Sequence, residues 1–148
     1  MIIVQGDIAE VCGKVSMVDG SFDPLHDGHI EYFRQAADMW SPLLCNIAPD
    51  SWTQAKHPIL LPREKRAVVI DAIHYIDYVF LADCLTVEVL EMIRPKLYIK
   101  GNDWKERGGI PCEEREVCEK LGIQVVYLDT VHNSSSQLLM QFRGGDQR

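Results

Sequence analysis

Apolar residues along this chain recur in two alternating patterns. Short runs rich in strand-forming residues fall at 15–18, 43–48, 78–81, 97–100 and 124–128. Between them, apolar positions return every three to four residues over 28–40, 63–73, 86–93 and 113–121, and a last helical pattern covers about 134–142. Uninterrupted apolar runs bounded by turn residues predict strands buried on both faces, and the longer period predicts amphipathic helices. The punctuation agrees: Pro95 follows the pattern at 86–93, and Gly122 stands where a helix C-cap is needed after 113–121. Strands that alternate with helices imply right-handed crossovers and a parallel sheet.

The expected architecture is α/β, a Rossmann-like five-stranded parallel sheet with helices on both faces. Ligands of such a sheet bind beyond the C-terminal strand ends, at the switch point beside the first strand. The repeat occupies 14–142. Residues 1–13 read as an N-terminal extension, with 1–4 as an extra edge strand or an arm, and 143–148 as a mobile tail. The 148 residues suffice for one domain with a proper core. A net charge of −7 argues against general nucleic-acid binding through phosphates, yet leaves room for a local basic pocket. No apolar span reaches membrane length, and the first residues carry Asp7 and Glu10 without the early basic cluster of a secretory signal. The five cysteines include no Cys-x-x-Cys pair, so no disulfide framework or zinc site is expected, and a reducing cytoplasm is the natural compartment. Cys45 and Cys84 read as small core residues.

Chemistry concentrates in one run, Gly20-Ser21-Phe22-Asp23-Pro24-Leu25-His26-Asp27-Gly28-His29. A strand pattern feeds into it and a helix pattern leaves it. A strand, a glycine-containing turn and a helix N-terminus form an anion site, where backbone N–H groups and the helix dipole favour negative charge. Two histidines three residues apart share a face of the first helical turn. That arrangement suits a polyphosphate held while a phosphorus atom is attacked.

The run resembles the signature of the HxGH nucleotidyltransferase superfamily, which includes cytidylyltransferases and adenylyltransferases. The resemblance extends in order over further stretches, from Gly13 to about Phe142. It implies catalytic roles for His26, His29 and Lys56, the last in the polar segment after the second strand, where a mobile lysine closes over phosphates. It implies nucleotide binding by Gly20, Ser21, Phe22 and Gly28, and by Lys100, Gly101 and Asp103 of the stretch Tyr98-Ile99-Lys100-Gly101-Asn102-Asp103-Trp104. Ser134, Ser135 and Ser136 are expected to meet terminal phosphates at a helix start. Asp23 is expected to orient the acceptor and Arg66 to meet a phosphate, whereas Arg63 and Lys65 read as a solvated face.

The implied reaction moves a nucleoside monophosphate from ATP or CTP to an acceptor phosphate, whose oxygen attacks the α-phosphorus while pyrophosphate leaves. The attacking oxygen is already anionic, so positioning and charge stabilisation suffice, with Mg²⁺ expected on the triphosphate and no protein-held metal site. The adenylyltransferase domain of ADP-heptose synthase is similar in its Phe-Asp-x-Leu-His-x-Gly-His start, its Lys-Gly-x-Asp segment and its hydroxyl-rich end, which implies an acceptor such as heptose 1-phosphate. Glycerol-3-phosphate cytidylyltransferase is similar through the Asp103-Trp104 pair, but its Arg-Thr-Glu-Gly-Ile-Ser stretch has no counterpart here. The other class considered is a non-catalytic nucleotide-binding regulatory module. Such a module would have lost His or Lys, and both are present. Expected partners are a nucleoside triphosphate, a phosphorylated small molecule and a second copy of the chain, with neither nucleic acid nor membrane.

Overall fold

Successive strand residues feed two separate cores, which is why the strands read as uninterrupted apolar runs. A computed structural model of the protein describes residues 1–129 and 135–146. Its strands are β1 (Ile2–Ile3), β2 (Ser16–Gly20), β3 (Leu43–Ile47), β4 (Tyr78–Leu81), β5 (Leu97–Lys100) and β6 (Gln124–Tyr127). The helices are α1 (Asp27–Met39), α2 (Asp50–Gln54), α3 (Arg63–Asp71), α4 (Thr86–Ile93), α5 (Asn102–Glu106), α6 (Cys112–Leu121) and α7 (Ser135–Asp146), with a 3₁₀ turn at Gln5–Glu10. Met17, Leu44, Phe80 and Tyr98 point to one face and pack with Val89, Leu90 and Ile93 of α4 and Cys118 of α6. Val18, Cys45, Val79 and Ile99 point to the other and pack with Phe33 and Ala36 of α1 and Ala67 and Ile70 of α3. Every residue of β3 is buried, as a central parallel strand covered on both sides requires.

All strand pairs are parallel, in the order β1-β4-β3-β2-β5-β6. From β2 the chain steps outward through β3 to β4, then returns to the other side of β2 for β5 and continues to β6. The switch point therefore lies between β2 and β5, which pair through Ser16 with Leu97 and Met17 with Tyr98. The loops at the C-terminal ends of these strands diverge and leave a crevice there.

The Rossmann-like α/β expectation holds, with a sixth strand in place of five. The addition is β1, whose Ile2 and Ile3 sit beside Val79 and Phe80 at the sheet edge. Two residues are too few to show a period, so a neighbour in space rather than a pattern makes them a strand. Ile3 and Val11 of the first thirteen residues are buried in the core of the α4 face. The five cysteines are free: Cys45 and Cys118 are buried, and Cys84 is half-buried at a strand end. Among the described residues no helix is long and apolar enough to cross a membrane.

Candidate functional site

At the end of β2 the chain turns through Gly20, Ser21 and Phe22 before entering α1. Phe22 has φ 53°, a left-handed conformation uncommon outside glycine. This swings its ring inward, 5.0 Å edge-on from His29 and 5.1 Å from Phe33. A Cβ at position 20 would meet that ring at 3.0 Å, so any side chain there would have to push the Phe22 ring aside.

His26 is the N-cap of α1. Its Nδ1 accepts the Gly28 N–H at 3.1 Å, and His29 Nδ1 accepts the His26 N–H at 3.3 Å. The two rings stack at 3.8 Å, 25° apart. A ring nitrogen that accepts carries no proton, so each neutral imidazole bears its hydrogen on Nε2. The caps thus make both histidines Nε2–H donors beside a helix N-terminus, where positive potential gathers. Gly28 contributes its N–H to the cap and leaves the first turn uncrowded.

Across the turn lies a cavity of about 100 Å³ over the ends of β2, β3, β4 and β5. Asp19, Gly20, Ser21, Asn46, Lys56 and Lys100 line it, together with Trp52 and Trp104. Four of the residues expected from sequence therefore meet here: Gly20, Ser21, Lys56 and Lys100. His26 and His29 do not line it; Phe22, which follows the lining residue Ser21, packs edge-on against His29. The Lys100 ammonium is 2.5 Å from Asp19 Oδ1 and 4.5 Å from the centre of the Trp104 ring. Lys56 follows α2, and burial of its ammonium, with Arg107 and Lys100 nearby, pushes its pKa below the ordinary lysine value.

Asp23 and Arg66 serve the loop that carries Lys56 rather than the cavity. Asp23 is fully buried, and its carboxylate accepts the N–H groups of Leu60 at 2.8 Å and Leu61 at 3.1 Å. The buried Arg66 guanidinium donates to Leu61 O at 3.0 Å, Ser21 O at 2.6 Å and Asp50 Oδ1 at 2.5 Å. Between them they tie the segment after α2 to the β2 turn. The acceptor contact expected of Asp23 and the phosphate contact expected of Arg66 meet side chains already engaged by the protein. Arg63, expected to be solvated, instead donates to Ala82 O at 2.8 Å and pairs with Asp83 at 2.7 Å. Replacing Asp23 by alanine should strand two backbone donors and cost about 3 kcal/mol, since charged hydrogen bonds contribute roughly 1.5–3 kcal/mol each. A fall in Tm with faster proteolytic nicking near Leu60 would show this, and an unchanged Tm would contradict it.

Gly101 is the buried N-cap of α5, and Asp103 is exposed in its first turn, outside the cavity. Ser134 lies outside the described residues. Ser135 and Ser136 open α7, and their side chains lie outside them too. Sequence reasoning missed Asp19, Asn46, Trp52 and Thr86, all of which line the cavity. Asp19 and Asn46 did carry a signal, since a polar residue at the end of a buried apolar run stands where this sheet binds ligands.

The sequence model of the cytidylyltransferase-like family matches residues 17–138. The chain is similar to the bifunctional protein HldE of Citrifermentans bemidjiense, 31% identical over 133 residues, which are 86% of this chain and 26% of that protein. HldE of Geobacter sulfurreducens is 30% identical over the same shares. The chain thus spans about a quarter of the length of these curated relatives. Among solved structures, a lipopolysaccharide core biosynthesis protein from Thermoplasma volcanium superposes with a TM-score of 0.66 at 21% identity, covering 80% of this chain and 98% of that one. Pantoate-beta-alanine ligase from Francisella tularensis superposes with a TM-score of 0.64 at 12% identity, covering 95% of this chain and 73% of that one. These two likenesses concern the fold.

Proposed function

The chain belongs to the cytidylyltransferase-like family of nucleotidyltransferases, and on that premise we propose that it transfers a nucleoside monophosphate from ATP or CTP to a phosphorylated sugar or polyol, heptose 1-phosphate first, releasing pyrophosphate. One observation carries this reading: the turn after β2 lends Gly20 and Ser21 to a cavity that also holds two lysines, Lys56 and Lys100, and runs on into a histidine pair capped so that each ring donates from Nε2. In the proposed arrangement the triphosphate lies at the start of α1, with His26 and His29 donating to its phosphate oxygens. The acceptor enters the cavity with its phosphate toward the lysines. An acceptor oxygen attacks the α-phosphorus, the bond to the bridging oxygen breaks, and the electron pair leaves with pyrophosphate. No protein base is needed, because the attacking oxygen is already deprotonated. The protein supplies position and positive charge where charge develops.

The hydroxyl-rich acceptor rests on the cavity floor and on the likeness to HldE. Ser21 Oγ and Asn46 Oδ1 are buried, line the cavity and have no hydrogen-bond partner among the described residues. A buried polar atom left without a partner costs about 1–3 kcal/mol. A sugar or polyol hydroxyl removes that cost, and an apolar ligand does not. Among the described residues no three His, Cys, Asp or Glu side chains gather to ligate a metal. Magnesium is proposed to arrive on the triphosphate, and no step passes through a protein-held ion.

The test is pyrophosphate release from ATP or CTP with a panel of heptose 1-phosphate, other sugar 1-phosphates and glycerol 3-phosphate. Turnover with a sugar or polyol phosphate is expected, with heptose 1-phosphate giving the highest kcat/KM. Turnover restricted to phosphopantetheine or nicotinate mononucleotide would overturn the acceptor assignment and leave the family standing.

A further inference from the structure

A phosphate-binding cavity has no evident use for a carboxylate in its wall, yet Asp19 lines this one beside Lys100. Its environment accounts for it. Asp19 Oδ1 takes the Lys100 ammonium at 2.5 Å, and Oδ2 lies 2.8 Å from the hydroxyl of the buried Tyr98. The same hydroxyl lies 2.8 Å from Glu114 Oε1 on α6. A phenol has one proton and can donate to only one carboxylate. Burial and the two acids push Tyr98 ionisation well up, so it keeps that proton. Its hydroxyl therefore shares one proton between the two carboxylates. Asp19 is paired with the Lys100 ammonium. Burial pushes the Glu114 carboxyl pKa up, with Asp19 and Glu113 adding to the rise and Tyr98 and Lys100 opposing it. Glu114, Tyr98, Asp19 and Lys100 thus form one continuous chain of contacts from α6 to the cavity wall.

We propose that Tyr98 and Glu114 are positioning residues, which orient Asp19 so that it fixes the Lys100 ammonium at the cavity wall, facing the acceptor phosphate. The rings of Tyr98, 5.2 Å away, and Trp104, 4.5 Å away, close the ammonium in from other sides. With both oxygens engaged, Asp19 serves as an internal counter-ion and presents little negative charge to a ligand. The network joins β2, β5 and α6 at the switch point, so the cation is set by the sheet rather than by a loop. This inference rests on reading the cavity as the acceptor-phosphate site.

The kinetic experiment measures acceptor KM and kcat at neutral pH with the triphosphate saturating. Tyr98→Phe should raise acceptor KM about tenfold while kcat stays within about threefold, the pattern of a lost ground-state contact. Glu114→Leu, which removes the Tyr98 partner on α6, should raise acceptor KM in the same direction, and Glu114→Gln, which keeps a hydrogen-bonding group there, should bring it back to within about twofold of wild type. A second readout is independent of turnover. With Trp40→Phe and Trp52→Phe introduced, Trp104 is the remaining tryptophan. Its emission should change in Tyr98→Phe, as Lys100 moves from the ring, and hold in Glu114→Gln. An unchanged KM and emission in Tyr98→Phe, or a Glu114→Leu variant equal to wild type in acceptor KM, would overturn the proposal. Wild-type protein inactive with every phosphorylated acceptor would defeat the substrate reading instead, and the emission measurement alone then decides the positioning. Should Tyr98→Phe fail to melt cooperatively, Asp19→Asn replaces it with the same expected changes.

Discussion

Alanine at His26 or at His29 is expected to lower turnover by at least about 10²-fold, the loss typical of removing one transition-state donor. Both rings stand at the start of α1, both use Nδ1 to accept a backbone N–H, and both therefore carry Nε2–H. Only a group aimed at charge developing on the transferred phosphoryl lowers the barrier, because equal contact with ground and transition states leaves kcat unchanged. His26 is also a helix cap, so its removal carries a structural cost of about 1 kcal/mol. His26→Asn separates the two roles. Asparagine is a good N-cap but places no donor where the imidazole Nε2–H stands. His26→Asn should therefore melt within a few degrees of wild type and still lose about 10² in kcat. Near-normal turnover in both single alanine variants would remove the histidines from the chemistry.

What the sequence made legible follows from how each feature is encoded. Strands β4 and β5 and helix α4 have the predicted boundaries because a turn residue or a change of period marks each end. Helices α2 and α5, five residues each, have no counterpart in the hydrophobic pattern. A single turn buries too little to impose a period, and local capping and neighbours decide it. The histidine run was legible because its chemistry is contiguous. The cavity was less so, since it is assembled from the ends of four strands far apart in sequence. Asp23 and Arg66 show what a sequence leaves unsaid. Both are charged residues near a site, and both are turned to the protein, where Asp23 holds Leu60 and Leu61 and Arg66 holds Ser21 and Asp50. Only contacts distinguish a charge that meets substrate from one that fastens the loop beside it. The Glu114–Tyr98–Asp19–Lys100 chain was beyond sequence reasoning for the same reason, because its acids come from different elements.

Lys56→Ala is expected to reduce kcat by about 10²-fold while triphosphate affinity falls less than about tenfold, because positive charge matters most as charge develops at phosphorus. The loop carrying Lys56 is fastened at its base, through Asp50 to Arg63 and Arg66 and through Leu60 and Leu61 to Asp23. The lysine itself follows α2 on an exposed stretch, so it can reach over the cavity while the anchors stay fixed. The residue is exposed as a whole, yet its ammonium is partly desolvated beside Arg107 and Lys100, which lowers its pKa below the ordinary lysine value of about 10.4. A lysine is charged below its pKa and neutral above it. The Lys56 contribution is therefore complete on the acid side and is lost as pH rises through the lowered value, at a pH where a solvated lysine would remain charged. Arginine at position 56 stays charged throughout and should move the alkaline fall in kcat to higher pH. A Lys56→Ala variant that loses triphosphate affinity with kcat intact would make Lys56 a ground-state binder, and an alkaline limb unmoved by Lys56→Arg would assign that titration to another group.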